Sequence, residues 1–135
     1  MAVYKNHPTD LHTVLIISKD MEMISVWETL FQQKNCDVIH ESTPQAALDS
    51  AVATPPSLVV LDLDLPQPVR VELCRKLRAT TSGTLLLLAP SNENQHLFDY
   101  IHAGVDEFIS TPISPMALLI KSMAWLVRQS WSVPV

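Results

Sequence analysis

The chain has 135 residues, of which 47% are hydrophobic and 17% charged; this is enough for one domain and too little for two. Its net charge of −5 offers no broad basic field to a phosphate backbone, so nucleic-acid binding by this chain alone is not expected. Charged residues fall below the about 25% usual in soluble domains, so some apolar surface is expected to be covered by a second copy or a neighbour.

Residues 1–12 read as a flexible polar leader without the apolar core of a secretory signal. No apolar run approaches the about 20 residues needed to span a bilayer, so the expected compartment is the cytoplasm, with no membrane contact. A β-branched, apolar run at 13–17 suits an interior strand covered on both faces. Residues 21–34 follow with Met23, Trp27, Leu30 and Phe31 near one helical face. A short strand is expected at 36–41. A helix at 44–53 follows, with Thr43 as N-cap, Pro44 in the first position, and Ala47, Leu48 and Ala51 inward.

The run at 57–63 is the most convincing central strand and carries Asp62 at its mouth. The next helix, 69–80, places Val69, Leu73 and Leu77 along one stripe. A strand at 84–89 leads to a helix at 93–103 with Leu97, Phe98 and Ile101 as its apolar face. After a strand at 106–110, the last helix runs from Pro115 to about Gln129, with Ser114 as its cap and Leu119, Met123 and Leu126 toward the core. That assignment leaves Leu118, Trp125 and Trp131 for another surface. Strand and helix alternate throughout, so the expected class is α/β, a mostly parallel sheet with helices on both faces. One domain is expected over 13–131, with 132–135 as a tail or the start of a linker to an output domain.

Ligands of such sheets bind outside the carboxyl ends of the strands, which directs attention to Ser18-Lys19-Asp20, Asp62, Ala89-Pro90 and Thr111-Pro112. Asp62, just past an apolar core, is either nucleophile material or an ordinary loop-facing carboxylate. Asp20 either caps the first helix or adds negative charge near Asp62. Lys19 either pairs with Asp62 or points into water. The chain has only two glycines, Gly83 and Gly104, so no glycine-rich phosphate loop exists. Its five histidines, His7, His12, His40, His96 and His102, form no ligand pattern, and Cys36 and Cys74 lack metal-ligand spacing. These features weigh against a small α/β enzyme or nucleotide binder and leave the cysteines as free thiols of a reducing compartment.

Four stretches in order, VLIISKD, SLVVLDLDLP, ELCRKLR and HAGVDEFISTPIS, together resemble the receiver domain of bacterial response regulators from about Thr13 to Trp131. The resemblance implies a flavodoxin-like, doubly wound sheet of five parallel strands in the order 2-1-3-4-5 with five helices. It places the family's phosphoacceptor on Asp62 and its backbone metal ligand on Asp64. The acidic pair that holds magnesium falls on Ser18 and Lys19, neither of them acidic. The phosphoryl-sensing threonine or serine falls on Ala89, the conserved lysine on Thr111 before Pro112, and the aromatic switch on Phe108. Arg70 stands near the place of the glycine that follows the phosphoacceptor loop, and Gly104 is kept where the fourth helix ends.

Phosphoryl transfer to an aspartate needs the entering charge neutralised, much of it by magnesium on hard oxygen ligands. With Ser18 and Lys19 in place of carboxylates, a metal site is expected only if Asp20 and Asp64 turn inward; otherwise no cofactor is expected, and Lys19 is a candidate to neutralise Asp62 directly. Ala89 and Thr111 lack the groups that sense a phosphoryl. The expectation is a regulatory dimerisation or protein-interaction module independent of phosphorylation. The rival is a slow phosphoacceptor served by a histidine kinase, with no enzymatic activity beyond slow self-phosphorylation and dephosphorylation at Asp62. The resemblance puts the output or dimer face on the fourth helix, fifth strand and fifth helix, with Phe108, Leu118 and Trp125 as its candidate residues.

Overall fold

The computed structural model describes residues 12–131, with side chains through Gln129. Its strands are β1 (Thr13–Ser18), β2 (Asp37–Glu41), β3 (Leu58–Asp62), β4 (Thr84–Pro90) and β5 (Glu107–Thr111). All pair in parallel, in the order β2-β1-β3-β4-β5. The helices are α1 (Met21–Gln32), α2 (Pro44–Ala53), α3 (Gln67–Thr80), α4 (Leu97–His102) and α5 (Pro115–Trp131), with a 3-10 turn at Ser91–His96 before α4. The expected class, strand order and helix count therefore hold.

Strand side chains alternate between faces, and this alternation divides the interior into two cores. Leu15, Ile17, Val59, Leu61, Leu85 and Leu87 meet α2, α3 and α4 through Ala47, Ala51, Leu73, Cys74, Leu77 and Tyr100. Val14, Ile16, Leu58, Val60, Leu86 and Leu88 meet α1 and α5 through Ile24, Trp27, Phe31, Leu118, Leu119 and Leu126. Burial on both sides is why β1, β3 and β4 read as unbroken apolar runs. Asp20, Thr43 and Ser114 cap their helices as expected, accepting from the backbone N–H of Met23, Ala46 and Ala117. Gly104 has φ +108, and a Cβ there would strike the side chain of Arg78, which donates to the Gly104 carbonyl and to Asp106.

Three helical faces differ from expectation. On α3 the buried positions are Arg70, Val71, Leu73, Cys74 and Leu77, which moves the stripe away from Val69, 48% exposed. On α4 the buried residue is Tyr100, while Leu97, Phe98 and Ile101 face solvent. The 3-10 turn sets the phase here, because the α-helix starts only at Leu97, four residues later than the pattern suggests. On α5, Leu118 lies fully buried beside Leu119 and Leu126. It therefore belongs to the core and is withdrawn from the candidate output face. Residues 1–11 of the leader, the tail 132–135 and the side chain of Trp131 lie outside the described residues.

Candidate functional site

The pairing register aligns Ser18 with Asp62 at the carboxyl ends of β1 and β3, so both side chains emerge on one side of the sheet. The Ser18 hydroxyl donates to Asp62 Oδ2 at 2.9 Å and accepts from the Asp20 N–H at 3.1 Å. His40 approaches the Ser18 carbonyl through Nε2 at 3.1 Å. Ser18 is thus fully buried and fixed at the root of the site. A cleft of about 510 Å³, reaching from Lys19 to Leu65, opens above Asp62.

Burial raises the Asp62 carboxyl above its usual range, and the charge of Asp20 adds to this; the Ser18 hydrogen bond and the positive field of Arg70 pull the other way. Lys19 is exposed and makes no ion pair with a described residue. Of its two readings, the solvent-facing one holds and direct neutralisation of Asp62 does not. Lys19 lies just past the end of β1, exposed at the rim of the cleft that Asp62 also lines. Asp64 is fully exposed at its side chain, 4.0 Å from Arg70 Nη2, and Asp20 spends Oδ1 on the α1 cap. Among the described residues no group of three or more His, Cys, Asp and Glu side chains is placed to hold a metal ion.

Ala89 is buried and carries no polar side chain toward the site. Thr111 is half-buried at the end of β5, in a cis peptide with Pro112. Thr111 carries no charge, as its sequence shows, and a positive field at Asp62 comes from Arg70 on α3. That side chain is nearly fully buried and donates through Nη1 to Glu93 Oε1 at 2.8 Å and to Tyr100 Oη at 3.2 Å. Tyr100 Oη also donates to Glu93 Oε1, at 2.5 Å. Burial and the Glu93 contact push the Tyr100 hydroxyl up to about 12. Sequence reasoning placed Arg70 but not its burial; the signal was the spacing Arg70, Leu73, Cys74, Leu77, whose first member is the stem of an arginine.

Phe108 is half-buried and stacks on Tyr100 with centroids 5.9 Å apart, which ties the aromatic of β5 to the Arg70 cluster. Trp125 donates from Nε1 to Glu107 Oε1 at 2.8 Å, and the Arg128 guanidinium lies 4.3 Å from its ring centroid. Lys121 holds the other Glu107 oxygen at 2.8 Å. Burial opposes ionisation of Glu107, but these partners outweigh it and hold its carboxyl below the usual range.

Comparison with known proteins agrees with this geometry. The profile of the response regulator receiver domain matches residues 14–122. Response regulator ArlR of Staphylococcus epidermidis is 28% identical over 116 residues, covering 86% of this chain and 53% of that protein; the chain thus spans about half the length of the curated relatives it matches. A two-component response regulator from Clostridium difficile superposes with a TM-score of 0.78 at 21% identity, covering 90% of this chain and 99% of the other. A CheY-like receiver domain protein from Methanospirillum hungatei gives the same TM-score and identity, over 88% and 96%. The chain belongs to the response regulator receiver domain family.

Proposed function

We propose that this receiver domain works as a phosphorylation-independent interaction module of two-component signalling, presenting a surface of α4, β5 and α5 to a second copy, a partner protein or an output domain. The observation that carries the reading is the hydrogen bond from Ser18 to Asp62. A neutral hydroxyl satisfies the carboxylate where the family would gather acidic groups around a cation. Magnesium demands near-octahedral oxygen ligands; a buried serine, an outward Lys19 and an Asp64 lying over Arg70 supply few of them. Ala89 and Thr111 offer a phosphoryl group neither the expected hydroxyl nor the lysine. Residues 13–131 act as the unit in this proposal.

The rival, slow phosphorylation of Asp62 by a histidine kinase or a small phosphodonor, draws on the open cleft above that carboxylate. An amide NMR fingerprint recorded with magnesium and then with beryllofluoride separates the two. Unchanged peaks at Asp62, Ala89 and Phe108 are expected; saturable shifts there would mean that the pocket still accepts a phosphoryl group.

A further inference from the structure

Two apolar groups that the sequence pattern turns inward are turned outward by the fold. Val69 on α3 is half exposed, and on α4 the Phe98 ring is 79% exposed with Leu97 and Ile101 beside it. Val69 lies on the wall of a groove of about 550 Å³ between α2 and α3, whose other apolar walls are Pro44, Leu48, Pro68 and Leu73. A groove of this size accepts a drug-sized apolar body, so it has room for a phenyl ring. Glu72 at its rim is held by Arg75 at 2.9 Å, whereas Lys76 on the same rim makes no ion pair among the described residues. The groove therefore presents a net positive charge. Asp99, next to Phe98, carries the opposite charge, its side chain 61% exposed beyond its contacts with Gln67 and His96.

Helices α2, α3 and α4 share one face of the sheet, since all three pack on the same core, and α3 touches both of the others. The groove is built from the first turns of α2 and the first half of α3, and Phe98 is the second residue of α4. Each of these helices follows the carboxyl end of a strand, so groove and ring stand at one level on opposite sides of α3. A twofold axis running along α3 keeps that level and exchanges the sides. It sets Phe98 of one copy over the groove of the other and Asp99 toward Lys76, and does so twice. We infer that two copies of this chain form such a dimer, Phe98 of each seated in the α2–α3 groove of the other. This pairing covers Val69 and the apolar residues of α4 together, which a contact of α4 with α4 does not. It rests on the phosphorylation-independent reading for the use of α4 and names the surface that receives it.

The test is sedimentation velocity of the full chain, of Phe98→Glu, of Val69→Lys and of an equimolar mixture of the two variants. Both positions are exposed, and circular dichroism melts close to the parent's establish that both variants fold. Each substitution acts at both ends of the interface, so each variant alone should dimerise at least about tenfold more weakly than the parent. The mixture should recover the dimer. In it the new carboxylate meets the new ammonium at one end, and a native Phe98 meets a native groove at the other. Dimerisation of Val69→Lys at the parent's affinity would overturn the inference and mean that α4 packs on α4. A parent that stays monomeric, or a mixture that associates no more tightly than its components, would overturn it equally. None of these outcomes touches the phosphorylation-independent reading, which a beryllofluoride response would defeat by a separate measurement, whatever the mixture does.

Discussion

At Asp62 burial and hydrogen bonding oppose one another, and burial prevails. A carboxyl raised in the folded state binds its proton more tightly there than in the unfolded chain. Its charged form therefore weakens the fold above the folded pKa, and the penalty is relieved as pH falls through that pKa and the lower unfolded one. Asp62→Asn keeps an oxygen acceptor for Ser18 and removes the charge. The variant should melt higher than the parent at neutral pH, with its advantage fading on acidification into and below the ordinary carboxylate range; thermal melts across that interval check this. A gain that persists unchanged in acid would show that the charge is not its source. The Arg70 cluster behaves oppositely. Glu93 and Arg70 are both largely buried at their side chains, and removing one partner strands the other. Arg70→Ala should cost about 3 kcal/mol in urea unfolding, whereas Arg70→Met with Glu93→Gln should recover much of it. Equal losses in both variants would mean that the effect lies in the Arg70 hydrogen bonds and ion pair, which neither variant keeps, and not in the arginine stem or a stranded Glu93.

At the scale of elements, α4 and α5 exchange the roles that their sequences suggest. Leu118 is fully buried and Phe98 is 79% exposed, so Leu118→Ala should cost about 2–5 kcal/mol, while Phe98→Ser should change stability by no more than about 0.5 kcal/mol. Denaturant melts of the two variants measure the contrast directly. The β1, β3 and β4 runs, the three helix caps and the position of Asp62 were readable from residues alone, because apolar continuity and capping chemistry are local. The face of α4 was not, since its phase depends on where the 3-10 turn stops. The burial of Arg70 was not either, because it requires Glu93 and Tyr100, both more than 20 residues away. The Ser18 contact with Asp62 depends on strand register, which no run of residues in β1 specifies alone. The thiols were readable as free, and both are buried. Burial pushes Cys74 up to about 12 and raises Cys36 as well, so neither should react with a disulfide reagent at mild alkaline pH until the chain unfolds.

Across the whole molecule, the sheet seals two cores, yet α4 turns Leu97, Phe98 and Ile101 to solvent. Apolar side chains of this size gathered on a six-residue helix are the kind of surface that the low charge content leads one to expect a partner to cover. Beside them, Phe108 is held by Tyr100, and Tyr100 by Arg70 and Glu93. The ground under α4 is therefore fixed by a buried ion pair, without any phosphoryl group. A surface built in this way should associate in the unmodified protein. Sedimentation velocity over rising concentration should show the sedimentation coefficient moving toward that of a dimer, with no change on adding magnesium and a phosphodonor. Phe98→Glu should hold the chain monomeric while leaving its melting temperature within a few degrees of the parent, because the ring contributes little to the fold. If the parent stays monomeric throughout, self-association is excluded over that range, and the exposed α4 residues should then be tested against a different chain. Association that appears only with the phosphodonor would instead restore Asp62 as a working switch.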